Sequence, residues 1–170
     1  LTNALFNRFH VPLYPLIIAF FNFITFNLIP SEIIMVVINY FSFLFGVILI
    51  QKIIFFKTKD NSIASFCALL FAFWPFVGMT NSIRAVADSP SILLFLYGLY
   101  CLNKNMVLKG IFSFSLSIIT HKAMWPYSFL TLLLFLIFSK NDQKKLSSYL
   151  FIFFAPIFIL YVAGVFYFNS

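Results

Sequence analysis

From Ile33 to Ile50 the chain reads IIMVVINYFSFLFGVILI, and from Tyr149 to Phe168 it reads YLFIFFAPIFILYVAGVFYF; neither stretch holds a charged side chain. A helix of a water-soluble fold shows polar residues every three or four positions, so that one stripe faces solvent. These runs are apolar all round, which makes lipid their expected solvent. The composition agrees. Of the 170 residues, 63% are hydrophobic and 9% charged, with a mean hydropathy of +1.05, whereas a soluble domain carries about a quarter charged residues. No water-facing shell can be built from so few.

Apolar segments fall at 12–29, 33–51, 63–80, 89–102, 107–120, 123–138 and 148–168, separated by polar punctuation and prolines. The expected fold class is all-α, a polytopic transmembrane helix bundle of about six spanning helices plus one interfacial or re-entrant helix. A single membrane domain covers 1–170, with the transmembrane helices within 33–168. Orientation follows from lysine. Lys52, Lys57 and Lys59 follow one segment, Lys104 and Lys109 the fourth, and Lys140, Lys144 and Lys145 the sixth. By the positive-inside rule these loops face the cytoplasm, and Arg84, Asp88, His121 and Lys122 fall on the external or lumenal side. The net charge of +7 is a topology signal, because the basic residues sit in short loops rather than on one face, and no nucleic-acid partner is expected. Cys67 and Cys101 lie inside apolar runs, as small hydrophobes without metal-ligand spacing.

Segment 12–29 is the ambiguous one. Pro12 and Pro15 open it, Asn22 and Asn27 interrupt it, and the parity of the lysine loops leaves both its ends external if it does not cross. The interfacial reading, lying along or dipping into the external surface, is preferred. Segment 107–120 is short as well, about 21 Å at about 1.5 Å per residue against a hydrocarbon core of about 30 Å. Its external end is expected below the membrane surface, which puts His121 and Lys122 at depth in a wet cavity or beside an anionic partner. The plainer alternative is that Lys122 snorkels to the headgroups.

Three external patches could carry chemistry. The stretch from Thr80 to Ser91 holds Arg84 and Asp88 four residues apart, an i,i+4 pair if the turn is helical. Asp88-Ser89-Pro90 also reads simply as a helix start. His10-Val11-Pro12-Leu13-Tyr14-Pro15 offers an imidazole beside an aromatic turn, and Thr120-His121-Lys122 precedes Trp125-Pro126-Tyr127. Tyr14, Trp125 and Tyr127 serve equally well as belt residues at a membrane interface. Together, these cationic and polar groups on one side suggest an anionic ligand at the outer leaflet.

The order of these motifs is recognisable. A Pro12-Leu13-Tyr14-Pro15 turn heads an apolar helix, a spanning helix ends in lysines, Phe73-Trp74-Pro75 follows, then Arg84 with Asp88-Ser89-Pro90-Ser91, a short helix with Gly110, and Thr120-His121-Lys122 before a proline. Over residues 9–138 this resembles the polyprenyl-phosphate-sugar-dependent glycosyltransferases of the GT-C superfamily, particularly the mannosyltransferases of glycolipid-anchor assembly and their bacterial relatives. Where those enzymes carry Tyr-Ser-Glu-Ser, this chain has Ala87-Asp88-Ser89-Pro90. Where they carry Thr-Arg, it has Thr120-His121-Lys122. The acid and the cation are kept in kind but not in identity.

The resemblance implies transfer of a sugar, mannose by analogy, from a polyprenyl-phosphate donor to a lipid-linked or protein acceptor at the external or lumenal face of a membrane. Arg84, His121 and Lys122 are the expected donor phosphate-binding cations, and His10, Tyr14, Asp88 and Ser89 the expected sugar- or acceptor-binding groups. The family's catalytic acid precedes the Pro-Leu-Tyr-Pro element, so the general base is expected upstream of Leu1. The chain begins without Met and stops directly after an apolar run, and is expected to be part of a longer one. No cofactor is implied, and no metal site is expected, the acids being scattered at Glu32, Asp60, Asp88 and Asp142. Two other classes fit the same composition: a transporter or flippase for an anionic lipid or small solute, which would also want cations between helices, and a non-catalytic membrane subunit. An acidic residue in a long upstream external loop would favour the enzyme.

Overall fold

The structure, a computed structural model, describes residues 13–73, 88–138 and 146–168, the last helix without side chains at 146 and 160–168. Every regular element within them is helical: α1 (Leu13–Ile24), α2 (Ser31–Thr58), α3 (Asn61–Phe73), α4 (Asp88–Asn103), α5 (Val107–Thr120), a 3-10 turn (Lys122–Met124), α6 (Trp125–Phe138) and α7 (Leu146–Phe168). Among the described residues one helix, α2, is long and apolar enough to cross a membrane, with 28 residues and a best-window mean hydropathy of 2.6. The other described apolar stretches are shorter.

Local chemistry explains where the helices stop. The segment expected at 12–29 is helical only to Ile24, because Phe26 and Asn27 take left-handed backbone angles (φ 51° and 58°). The N–H of Asn27 then bonds back to the Asn22 carbonyl at 2.9 Å, the six-to-one closure that ends a helix. Lys59 (φ 60°) ends α2 in the same left-handed region, and the Asp60 carboxylate accepts the N–H groups of Ser62 (2.7 Å) and Ile63 (3.2 Å) to start α3. Asn105 (φ 59°) turns α4 into α5, with the Met106 N–H on the Cys101 carbonyl at 2.9 Å.

Helix directions follow from pairings. Gln51 on α2 donates to Ser65 on α3 at 3.1 Å and Phe43 stacks on Phe71, so the two are antiparallel. On the other side of α2, Ser42 shares a small cavity with Ser89 and Ile92 while Gly46 faces Leu96, so α2 and α4 run parallel. α5 returns antiparallel to α4, its Ser117 and Ser113 hydroxyls donating to the carbonyls of Ser91 (2.7 Å) and Leu94 (2.6 Å). Ser115 reaches the other way, to the Phe153 carbonyl on α7 at 2.6 Å. α6 and α7 meet through Trp125, Phe129, Phe153 and Phe154. α5 is thus the central helix, and Ile111, Phe114 and Ile118 join Leu132, Tyr149 and Phe153 in the main apolar core.

Beside this apolar core, several polar side chains are buried and many large apolar ones face outward. Asn39, Ser91, Ser115, Ser117 and Ser128 are fully buried, while Phe23, Phe26, Leu28 and Phe151 are each more than two-thirds exposed.

Candidate functional site

The lysine-bearing ends come together. The ammonium groups of Lys59 and Lys104 both lie over the Phe56 ring, at 4.6 and 4.8 Å from its centroid, and Phe138 at the end of α6 lines a groove with Leu102 near the end of α4. Two of the three expected lysine loops therefore share one end of the bundle, and α6 terminates there too. Lys140, Lys144 and Lys145 lie outside the described residues.

With these ends level, unequal lengths create a step at the other end. α2 has 28 residues and α4 has 16, so α2 stands higher by twelve residues, about 18 Å at about 1.5 Å per residue. Ser89 at the head of α4 is accordingly level with Ser42, eleven residues into α2. α1 packs antiparallel on the projecting part of α2. Tyr14 donates to Asn39 at 3.0 Å, Ile18 packs with Met35, and Asn22 donates to Ser31 at 3.0 Å. α1 therefore runs down alongside α2 rather than lying flat across its end. It also touches α5. Among the described residues, α1 and upper α2 stand as a two-helix wall beside a floor made by the heads of α4 and α6 and the end of α5.

Asp88 and His121 meet on that floor. Asp88 opens α4, and its carboxylate Oδ1 lies 3.2 Å from Nδ1 of His121, with the two side chains 31% and 35% exposed. Both are held from behind. The Ser91 hydroxyl bonds to the Asp88 carbonyl at 2.7 Å. His121 is extended (φ −149°, ψ 119°), its N–H on the Ser117 carbonyl and its own carbonyl accepting the Met124 N–H, each at 3.0 Å. Thr120 before it is buried, with its hydroxyl on the Leu116 carbonyl at 2.7 Å.

The expected site residues are placed as follows. Asp88, Ser89, His121 and Lys122 lie at the same end of the bundle, and of these the structure brings Asp88 and His121 into contact. His10 and Arg84 lie outside the described residues. Asp88 contacts His121, so it is not only a helix start; the expected Arg84–Asp88 pair lies outside the described residues. Tyr14 stands at the foot of the wall and is fully buried, its hydroxyl donating to Asn39, so it offers no surface to a ligand. Ser89 is buried beside Ser42, and its hydroxyl has no hydrogen-bond partner among the described residues. Lys122 is exposed.

Asn39 and Ser42 belong to this end of the bundle and were passed over in the sequence. A signal was available, since an amide in the middle of an apolar helix faces a partner by default. No protein-family model, curated protein or solved structure matches this chain.

Proposed function

We propose that this chain is part of a polytopic membrane glycosyltransferase that moves a sugar from a polyprenyl-phosphate donor to a lipid-linked or protein acceptor, on the side of the membrane opposite the lysine loops. The supporting observation is the step. The Asp88 carboxylate and the His121 imidazole meet about 18 Å below the head of α2, flanked by apolar helices, with exposed Lys122 next in the chain to His121. A donor with a lipid tail and a phosphate linkage needs such a place: an apolar flank for the polyprenyl chain, and cations at its end to stabilise the phosphate as the glycosidic bond breaks. The many large apolar side chains on the surface of the bundle support lipid as its solvent, with α2 crossing fully and α1 re-entrant.

In this reading Lys122 and His121 face the donor phosphate, and Asp88 and Ser89 form the side nearer the sugar. The test is donor cleavage by the full-length protein in vesicles. Radiolabelled mannosyl phosphate with a short polyprenyl chain should lose its label to an acceptor in an enzyme-dependent way. Movement of the intact labelled donor between leaflets without cleavage would instead identify a flippase.

A further inference from the structure

We propose that the small cavity between α2, α3 and α4 is a hydration site for one buried water, which bridges the hydroxyls of Ser42 and Ser89 and so ties the head of α4 to α2. The site is independent of the glycosyl-transfer reading. Three observations carry it. Ser89 is 5% exposed, and its hydroxyl oxygen has no hydrogen-bond partner among the described residues, although a serine hydroxyl can donate one bond and accept two. Ser89 lines the cavity together with Ser42, Phe43, Gly46, Phe71 and Ile92, so a second hydroxyl borders the same space from the neighbouring helix. The cavity gives the centre of a water molecule about 10 Å³ to occupy, close to the ~10–15 Å³ that one water needs.

A buried hydroxyl left without a partner keeps its full desolvation penalty. Nearby serines avoid it through the backbone: Ser91 donates to the Asp88 carbonyl and Ser117 to the Ser91 carbonyl, each at 2.7 Å. Ser89 makes no such bond, and it does not reach Ser42 directly. One water between the two hydroxyls donates to one and accepts from the other, which is enthalpically close to a direct hydrogen bond. The remaining lining side chains, Phe43, Phe71 and Ile92, are apolar, so they hold the water in place without competing for it.

The experiment is a double-mutant cycle on the full-length protein in detergent, read by thermal unfolding, with Ser42→Ala, Ser89→Ala and the two combined. Each single substitution should lower Tm by about 2–4 °C, the shift that one net hydrogen bond gives in a domain of this size. The combined variant should lose clearly less than the two singles together, because the first substitution already takes a partner from the shared water. A single variant as stable as the unmodified protein, or more stable, would overturn the site, since deleting an unpartnered buried hydroxyl removes its penalty. Strictly additive losses would overturn it as well, by giving each hydroxyl a partner of its own. A structure of the full-length protein at a resolution that shows waters reads the site directly: a peak within about 2.5–3.0 Å of both hydroxyl oxygens is expected, and a cavity without one would rule the water out.

Discussion

Gly98 on α4 and Gly110 on α5 face each other backbone to backbone: a methyl group on Gly110 would stand 3.0 Å from the Gly98 carbonyl oxygen, and one on Gly98 would stand 2.5 Å from the Phe114 ring. This contact lets the serine hydroxyls of α5 reach the carbonyls of α4, because close helix approach in an apolar setting requires small residues.

Gly98→Ala should therefore destabilise the bundle by about 1–3 kcal/mol through overpacking against the buried Phe114 ring. Gly46→Ala meets only ordinary contacts, at 3.6 Å from Leu96 and 3.7 Å from Phe71, and should be close to neutral. Thermal unfolding in detergent reads both. Equal effects would mean that the α4–α5 approach is looser than described.

Tyr14→Phe should lower stability by about 1 kcal/mol, because it takes the phenol donor from the buried Asn39 amide. A double-mutant cycle with Asn39→Leu should give a coupling of about 0.5–1.5 kcal/mol. Additive effects would place α1 away from α2.

Single cysteines at Lys104 and Lys122, in a background with Cys67→Ala and Cys101→Ala, should react with a membrane-impermeant maleimide from opposite sides of sealed vesicles. The reasoning is that α5 carries the chain from the lysine end to the stepped end. Reaction from the same side would refute the proposed crossing.

Lys122→Ala in the full-length protein should raise the KM for a polyprenyl-phosphate donor by about tenfold or more, the value of a hydrogen bond to a charged group. Lys122→Arg should keep most of the affinity, and Lys104→Ala, at the far end, should change it little. A Lys122→Ala enzyme with unaltered KM would reduce this residue to a membrane anchor.

Much of the helical plan was legible in the sequence. The segments read at 107–120 and 89–102 are α5 and α4 to within one residue at each end, and the two described lysine loops lie at one end of the bundle. Apolar run length, turn residues and lysine position are local properties, and they determine where a helix forms, where it stops and which of its ends carries charge. Asp88 and His121, in contrast, are brought together from opposite ends of an α4–α5 hairpin. Their meeting depends on two helices of nearly equal length packing antiparallel in one register, a register set by the Gly98–Gly110 approach and the Ser113 and Ser117 hydrogen bonds. Asn39 was hidden for a similar reason. Its polarity has meaning only once α1 folds back along α2 and delivers Tyr14 to it. The sequence by itself determined where most of the described helices form and which ends carry lysine; the pairings of Asp88 with His121 and of Tyr14 with Asn39 were decided by the tertiary structure. Helix formation is governed by neighbours in the chain, whereas a side chain's partner is chosen by helix rotation and register, which only packing between distant segments can set.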